Sequence, residues 1–219
     1  MLQLKAHQWT SEKANDWYVK QPLLVGANFV PSTAINELEM WQAETFDLIT
    51  IDRELKWAKD LGMNIMRVFL HNIPYENDED GFLDRIDLFL TIADKYQIKT
   101  MFVLFDSCWN YDPKSGEQMS PKVGVHNSGW ARCPGSKMLF DARTWDKLED
   151  YTKGIIGTFA HDERVIIWDI FNEPSNSGYM DARNAPFEKK LFSGQKKFNL
   201  RSQLHRVGGM PMKLVMNSC

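Results

Sequence analysis

The run Val165-Ile166-Ile167 leads into Trp168-Asp169-Ile170-Phe171-Asn172-Glu173-Pro174. A stretch with the apolar character of a buried strand therefore stops on an amide, a carboxylate and a proline. Proline cannot donate to a strand ladder and fixes its own φ, so it ends the strand directly after Glu173 and leaves that carboxylate at the rim. A carboxyl held there, beside Ile, Trp and Phe side chains, is placed for general acid work, and the Asn172 amide beside it can donate to a substrate hydroxyl. The plain alternative is a surface glutamate closing a strand, with Asn172 as a turn residue. Further polar groups stand on other apolar runs: Asn28 near the end of LLVGANFV, Arg67 within MNIMRVFL and Asp106 closing IKTMFVLFD.

These runs cover residues 23–30, 63–70, 98–106 and 165–171, and amphipathic segments separate them. The first such segment starts near Thr50, places Ile51, Leu55, Ala58 and Leu61 on one helical face, and ends at Gly62. The second starts near Asp80 with Phe82, Ile86, Phe89 and Ala93 at helical spacing, and the third, 144–160, buries Leu148, Ile155 and Phe159. Strand–helix alternation of this kind predicts a parallel α/β sheet, and strands apolar on both faces fit one covered by helices on one side and a filled interior on the other. Two architectures satisfy that pattern. A doubly wound nucleotide fold requires a glycine-rich turn after its first strand, and Gly26-Ala27-Asn28-Phe29 is not one. A (β/α)8 barrel puts its chemistry at the C-terminal strand ends, where the polar residues fall.

Residues 107–143 make a connection far longer than the usual ~2–6 residues, and it holds Trp109, Tyr111, His126 and Trp130. This many aromatics argue for a folded substrate wall over a disordered insert. Trp109 and Trp130, together with Trp41, are candidate platforms for stacking under sugar rings, with packing against the loop as the alternative for each.

The pattern W-D-x-x-N-E-P on the fourth strand, after N-I-M-R-V-F-L on the second and F-V-L-F-D-S-C-W on the third, resembles the clan of retaining β-glycosidases that includes cellulases, mannanases and xylanases. Within it, the chain is similar to family-5-like bacterial glycoside hydrolases of the cellulase-like or β-xylanase type over about residues 9–184. The resemblance implies a (β/α)8 (TIM) barrel of which residues 1–184 supply the first four βα units. It assigns Glu173 as acid/base and Asn172 as the residue that binds the hydroxyl next to the reacting carbon. Arg67 matches the arginine that orients the nucleophile, a core-edge salt bridge being its other reading. His126 corresponds loosely to a histidine of the loop after the third strand, or is simply a solvated loop residue. Asn28 and Asp106 complete the substrate-binding set. The implied partner is a β-linked glycoside or oligosaccharide, with no cofactor and no metal.

Retaining hydrolysis needs a second carboxylate ~5–5.5 Å from the acid/base. The family takes it from a seventh strand, which falls beyond this chain. Residues 185–219 change character: they are basic, rich in Gly and Met, and hold Glu188 as their acid. They are read as out of frame, as disordered, or as the divergent end of a short variant. Four unclosed strands would also expose edges and favour self-association.

Composition bounds the partner. With 26 Lys+Arg against 29 Asp+Glu there is no basic footprint for nucleic acid. Three cysteines without C-x-x-C spacing form neither a disulfide framework nor a zinc site. No window reaches the ~18 apolar residues of a membrane span, and the N-terminus lacks a signal-peptide core, so the expectation is a cytoplasmic protein.

Overall fold

A computed structural model of the chain describes residues 9–173. Pro174, Glu188 and the 185–219 segment lie outside the described residues. The strands are β1 (Gly26–Phe29), β2 (Ile65–Phe69), β3 (Lys99–Asp106) and β4 (Val165–Asn172), all parallel and in the order β1-β2-β3-β4. Seven α-helices accompany them among the described residues: α1 (Ser11–Tyr18), α2 (Glu37–Trp41), α3 (Leu48–Asp60), α4 (Asn72–Asn77), α5 (Glu79–Lys95), α6 (Ser136–Phe140) and α7 (Trp145–Phe159).

The three long helices form where the apolar spacing places them. Asp47 caps α3 by accepting from the Thr50 N–H at 3.0 Å, and Asp78 caps α5 through the Gly81 N–H at 3.1 Å. Ile51, Leu55 and Ala58 of α3 are buried, but Leu61 is 76% exposed. That helix stops at Asp60, so Leu61 is its cap and points away from the packed face. Phe82, Ile86, Phe89 and Ala93 of α5 are all fully buried.

In the sheet, Phe29, Val68, Phe102 and Trp168 stand side by side in register. All four belong to the core under the helices, and Phe89 of α5 packs its ring against Phe29 at 5.8 Å and Phe102 at 6.5 Å. One position back, Asn28 pairs with Arg67 on the other face of the strands. The same pleat that buries the aromatic row thus presents these polar residues on the opposite side.

β1 is shorter than the 23–30 run predicts. Residues 23–25 fall outside the strand: the Asn64 side chain accepts from Val25 N and donates to Leu23 O, each at 2.8 Å, while Val25 O accepts from Asn64 N at 2.8 Å and Ile65 N at 3.3 Å. Gly26 is required where the ladder begins: a Cβ there would stand 1.7 Å from the Ile65 carbonyl oxygen.

The 107–143 connection is folded. The bridge Asp106–Cys133 pins it to the end of β3, the bridge Asn110–Ala131 joins its two arms, and Asn36 and Gln42 hold its outer part through Gly129 and Gly116. Among the described residues no helix is long and apolar enough to cross a membrane.

Candidate active site

A cleft of ≈ 710 Å³ opens at the C-terminal ends of the strands. Eight of the residues singled out in the sequence line it: Asn28, Arg67, Asp106, Trp109, His126, Trp130, Asn172 and Glu173. The ninth does not. Trp41 is fully buried, its indole N–H donates to Phe69 O at 2.7 Å, and Phe46, Phe82 and Phe89 surround its ring at 5.8 Å each. As a core residue Trp41 offers no face to a sugar, which corrects the expectation for it.

Arg67 is the hub of the cleft floor. Its guanidinium bonds Asp169 through Nε (3.2 Å) and Nη2, Asn28 Oδ1 through Nη1 (3.2 Å), and Asn172 Oδ1 through Nη2 (2.9 Å). Asp169 has a side chain 1% exposed, against 20% for Arg67, so the pair is a largely buried one. Desolvation raises the Asp169 carboxyl above the ordinary range, and the Arg67 guanidinium opposes that rise.

Asn172 is held from both ends. Its Oδ1 faces Arg67 and its Nδ2 donates to Asp106 Oδ1 at 2.9 Å, so its neighbours of opposite polarity fix the amide orientation. Asp106 also accepts from the Trp130 indole at 2.6 Å and from Cys108 N at 3.1 Å. It is 2% exposed, and burial pushes its pKa up while these donors pull it down. Asp106 therefore arranges Asn172 and Trp130. Trp130 in turn stands edge-to-face on Phe69 at 5.2 Å. Trp109, 41% exposed, meets His126 edge-to-face at 6.4 Å on the outer wall.

Glu173 is half-buried at the lip, with Cys108 Sγ 3.3 Å from its Oε2. Three non-glycine residues lining the cleft have left-handed backbones: Trp109 (φ 63°), Asn127 (φ 50°) and Glu173 (φ 46°). Such conformations persist where surrounding bonds over-determine them. At Glu173 the Ser107 hydroxyl donates to the backbone carbonyl, and the Ser107 carbonyl accepts from Arg132 Nη2. Arg132 is 1% exposed, lies 4.4 Å beneath the Tyr111 ring and donates to Ser136 Oγ at 3.0 Å. Its own carbonyl sits 2.9 Å from His71 Nε2, while His71 Nδ1 accepts from Ile73 N at 3.1 Å, which makes Nε2 the protonated nitrogen. A buried brace thus runs from His71 through Arg132 and Ser107 to Glu173.

Sequence reasoning overlooked Asp169, Cys108, Ser107 and Arg132. Asp169 was visible as an acid inside an apolar strand, and Ser107 and Cys108 as the polar pair following Asp106. Nothing local marks Arg132. Among the described residues no group of three His, Cys, Asp or Glu side chains is placed to hold a metal ion.

The fold of the described residues, four consecutive parallel strands with the helices that connect them, is that of part of a (β/α)8 barrel of the kind found in family-5 glycoside hydrolases. It is similar to GH5_18 from Bifidobacterium longum subsp. longum, solved as a variant in complex with Manb1-4GlcNAc (TM-score 0.54, 17% identity, 83% of this chain and 41% of that one). GH5_18 from Streptomyces cattleya in complex with GlcNAc gives TM-score 0.51 and 14% identity over 83% of this chain and 40% of that one. The exo-beta-1,4-mannosidase Op5Man5 from an Opitutaceae bacterium gives 0.50 and 22% over 71% and 26%. The match thus spans between 26% and 41% of the length of these enzymes. No protein-family model and no curated protein matches the chain.

Proposed function

We propose that the cleft is the acid/base half of a retaining β-glycosidase site that takes β-linked neutral sugars. The observation that carries this reading is the Asn172–Glu173 pair, with the amide orientation of Asn172 fixed by Arg67 and Asp106. In this role Glu173 protonates the departing glycosidic oxygen and afterwards takes a proton from the attacking water, a contribution of about 10²–10⁴-fold. One Asn172 N–H is engaged by Asp106, and the second, which faces Cys108 Sγ at 3.7 Å, turns to a substrate hydroxyl next to the reacting carbon when sugar binds. Trp130 and Trp109 supply apolar faces for the sugar rings, and His126 stands at the outer wall.

The acids lining the cleft among the described residues are Asp106 and Glu173. Asp106 is buried and accepts three hydrogen bonds, so it is a poor nucleophile. The covalent partner required for retention is therefore assigned to sequence outside the described residues. β-Mannosides join β-glucosides and β-xylosides as probes, because the similar structures include an exo-beta-1,4-mannosidase and a complex with Manb1-4GlcNAc.

The test combines calorimetric titration with β-1,4-linked disaccharides and hydrolysis of aryl β-glycosides. Weak binding, with negligible turnover by this chain, is expected. Failure of every such sugar to bind at tens of millimolar contradicts the sugar site. Turnover that persists in Glu173→Gln removes Glu173 from its role.

A further inference from the structure

Cys108 occupies a position that the reading above leaves unused. It lies two residues beyond Asp106, whose Oδ1 accepts its backbone N–H at 3.1 Å, so the residue is anchored to the end of β3. Its Sγ lies 3.3 Å from Glu173 Oε2 and 3.7 Å from Asn172 Nδ2, and it lines the cleft. The thiol therefore sits between a carboxylate that can only accept and an amide that can donate. That arrangement orients it: S–H toward Glu173, the sulfur lone pair toward Asn172.

We propose that Cys108 is a positioning residue for Glu173, its S–H hydrogen-bonding Oε2 and tying the carboxylate to the same end of β3 that holds Asn172. This rests on the acid/base role proposed for Glu173, but the contact can be read without it. The tie places the two substrate-facing groups in one bonded unit, Asp106–Asn172–Cys108–Glu173. Side-chain freedom at Glu173 falls, so the acid/base group waits in one place, which is where preorganisation aids a transfer. The coupling runs both ways. Forming a thiolate next to a carboxylate is opposed by like-charge repulsion, so the contact is expected to slow reaction at the thiol.

The experiment measures iodoacetamide alkylation of Cys108 near pH 8, assigned by peptide mass mapping, in the wild-type chain and in Glu173→Gln. Removing the charge is expected to accelerate alkylation ~10-fold, since the thiolate is the reactive species. Cys133, fully buried in the core, is the control for general loosening and is expected to label at the same slow rate in both. An unchanged or slower rate at Cys108 overturns the proposal. So does acceleration matched at Cys133, which would reflect a loosened fold. A second arm compares Cys108→Ala with Cys108→Ser in calorimetric titration with β-1,4-linked disaccharides. Serine keeps a donor and is expected to retain the wild-type affinity, whereas alanine lowers it several-fold. Equal loss in both variants contradicts a donor role. Absent binding in the wild-type chain bears on the glycosidase reading, while the alkylation arm still decides the contact.

Discussion

Removing Arg67 is expected to destabilise the fold more than any loss of surface charge. The Arg67→Met change keeps the length of the side chain but withdraws the donors that hold Asp169, Asn28 and Asn172. Asp169 is then a carboxylate 1% exposed facing no cation. Breaking a buried pair from one side costs about 3–5 kcal/mol, and the 20% exposure of Arg67 favours the lower end of that range. With m-values of about 1–3 kcal/mol/M, a loss of ~3 kcal/mol moves a urea midpoint down by roughly 1–3 M. The pH dependence carries the sign. Desolvation already raises the Asp169 pKa, and without Arg67 it rises further. The folded state then binds more protons than the unfolded one above the ordinary aspartate range, so the variant loses stability as pH rises and recovers part of it near pH 4. Adding Asp169→Leu is expected to restore most of the loss, because no buried charge remains. Urea titrations followed by tryptophan fluorescence at several pH values test this. A single-variant cost below ~1 kcal/mol at pH 7, or a double variant as unstable as the single, would refute the buried-pair reasoning.

Two buried groups set opposite pH limbs. His71 is held neutral by burial, with its pKa lowered to about 3, so stability is lost as pH falls from about 6.5 toward 3, by at most ~5 kcal/mol; His71→Gln is expected to flatten that acid limb in thermal melts. Glu37 is 1% exposed and burial raises its pKa well above 4.5, so stability falls as pH climbs past that value, and Glu37→Gln is expected to remove that slope. Trp41→Ala is expected to cost about 3–5 kcal/mol as a core deletion and leave sugar affinity of the folded protein unchanged, whereas Trp130→Ala weakens affinity; calorimetry beside denaturation separates the two. Since β1 and β4 each pair with one strand among the described residues, concentration-dependent self-association is expected in sedimentation velocity, and a monomer at about 100 µM contradicts it.

The strands and long helices were legible because their signals are local. Phe82, Ile86, Phe89 and Ala93 repeat at helical spacing. The polar residues at strand ends were legible for the same reason, since a parallel α/β fold sends those ends to one rim. What escaped depends on partners distant in sequence. Trp41 lies on α2, only five residues long, where no periodicity can tell a core face from an exposed one. Its burial is decided by Phe82 and Phe89, roughly two turns apart on another helix. Asp169 is tolerable inside β4 because Arg67 reaches it from β2. The shortening of β1 goes with the Asn64 side-chain amide, which bonds Leu23 O and Val25 N ahead of the strand. Cys108 carried no motif spacing, and its significance lies in the 3.3 Å to Glu173.

The measurement that tests the central claim most directly is a titration of the isotopically labelled chain with Manβ1-4GlcNAc, cellobiose and xylobiose, followed by NMR at assigned side-chain signals. The expected result is that the Trp109 and Trp130 indoles and the Asn172 side-chain amide shift together with one affinity, while the buried Trp41 indole stays fixed. Shifts confined to other surfaces, or none at all at about 50 mM sugar, would contradict a carbohydrate site at Asn172 and Glu173.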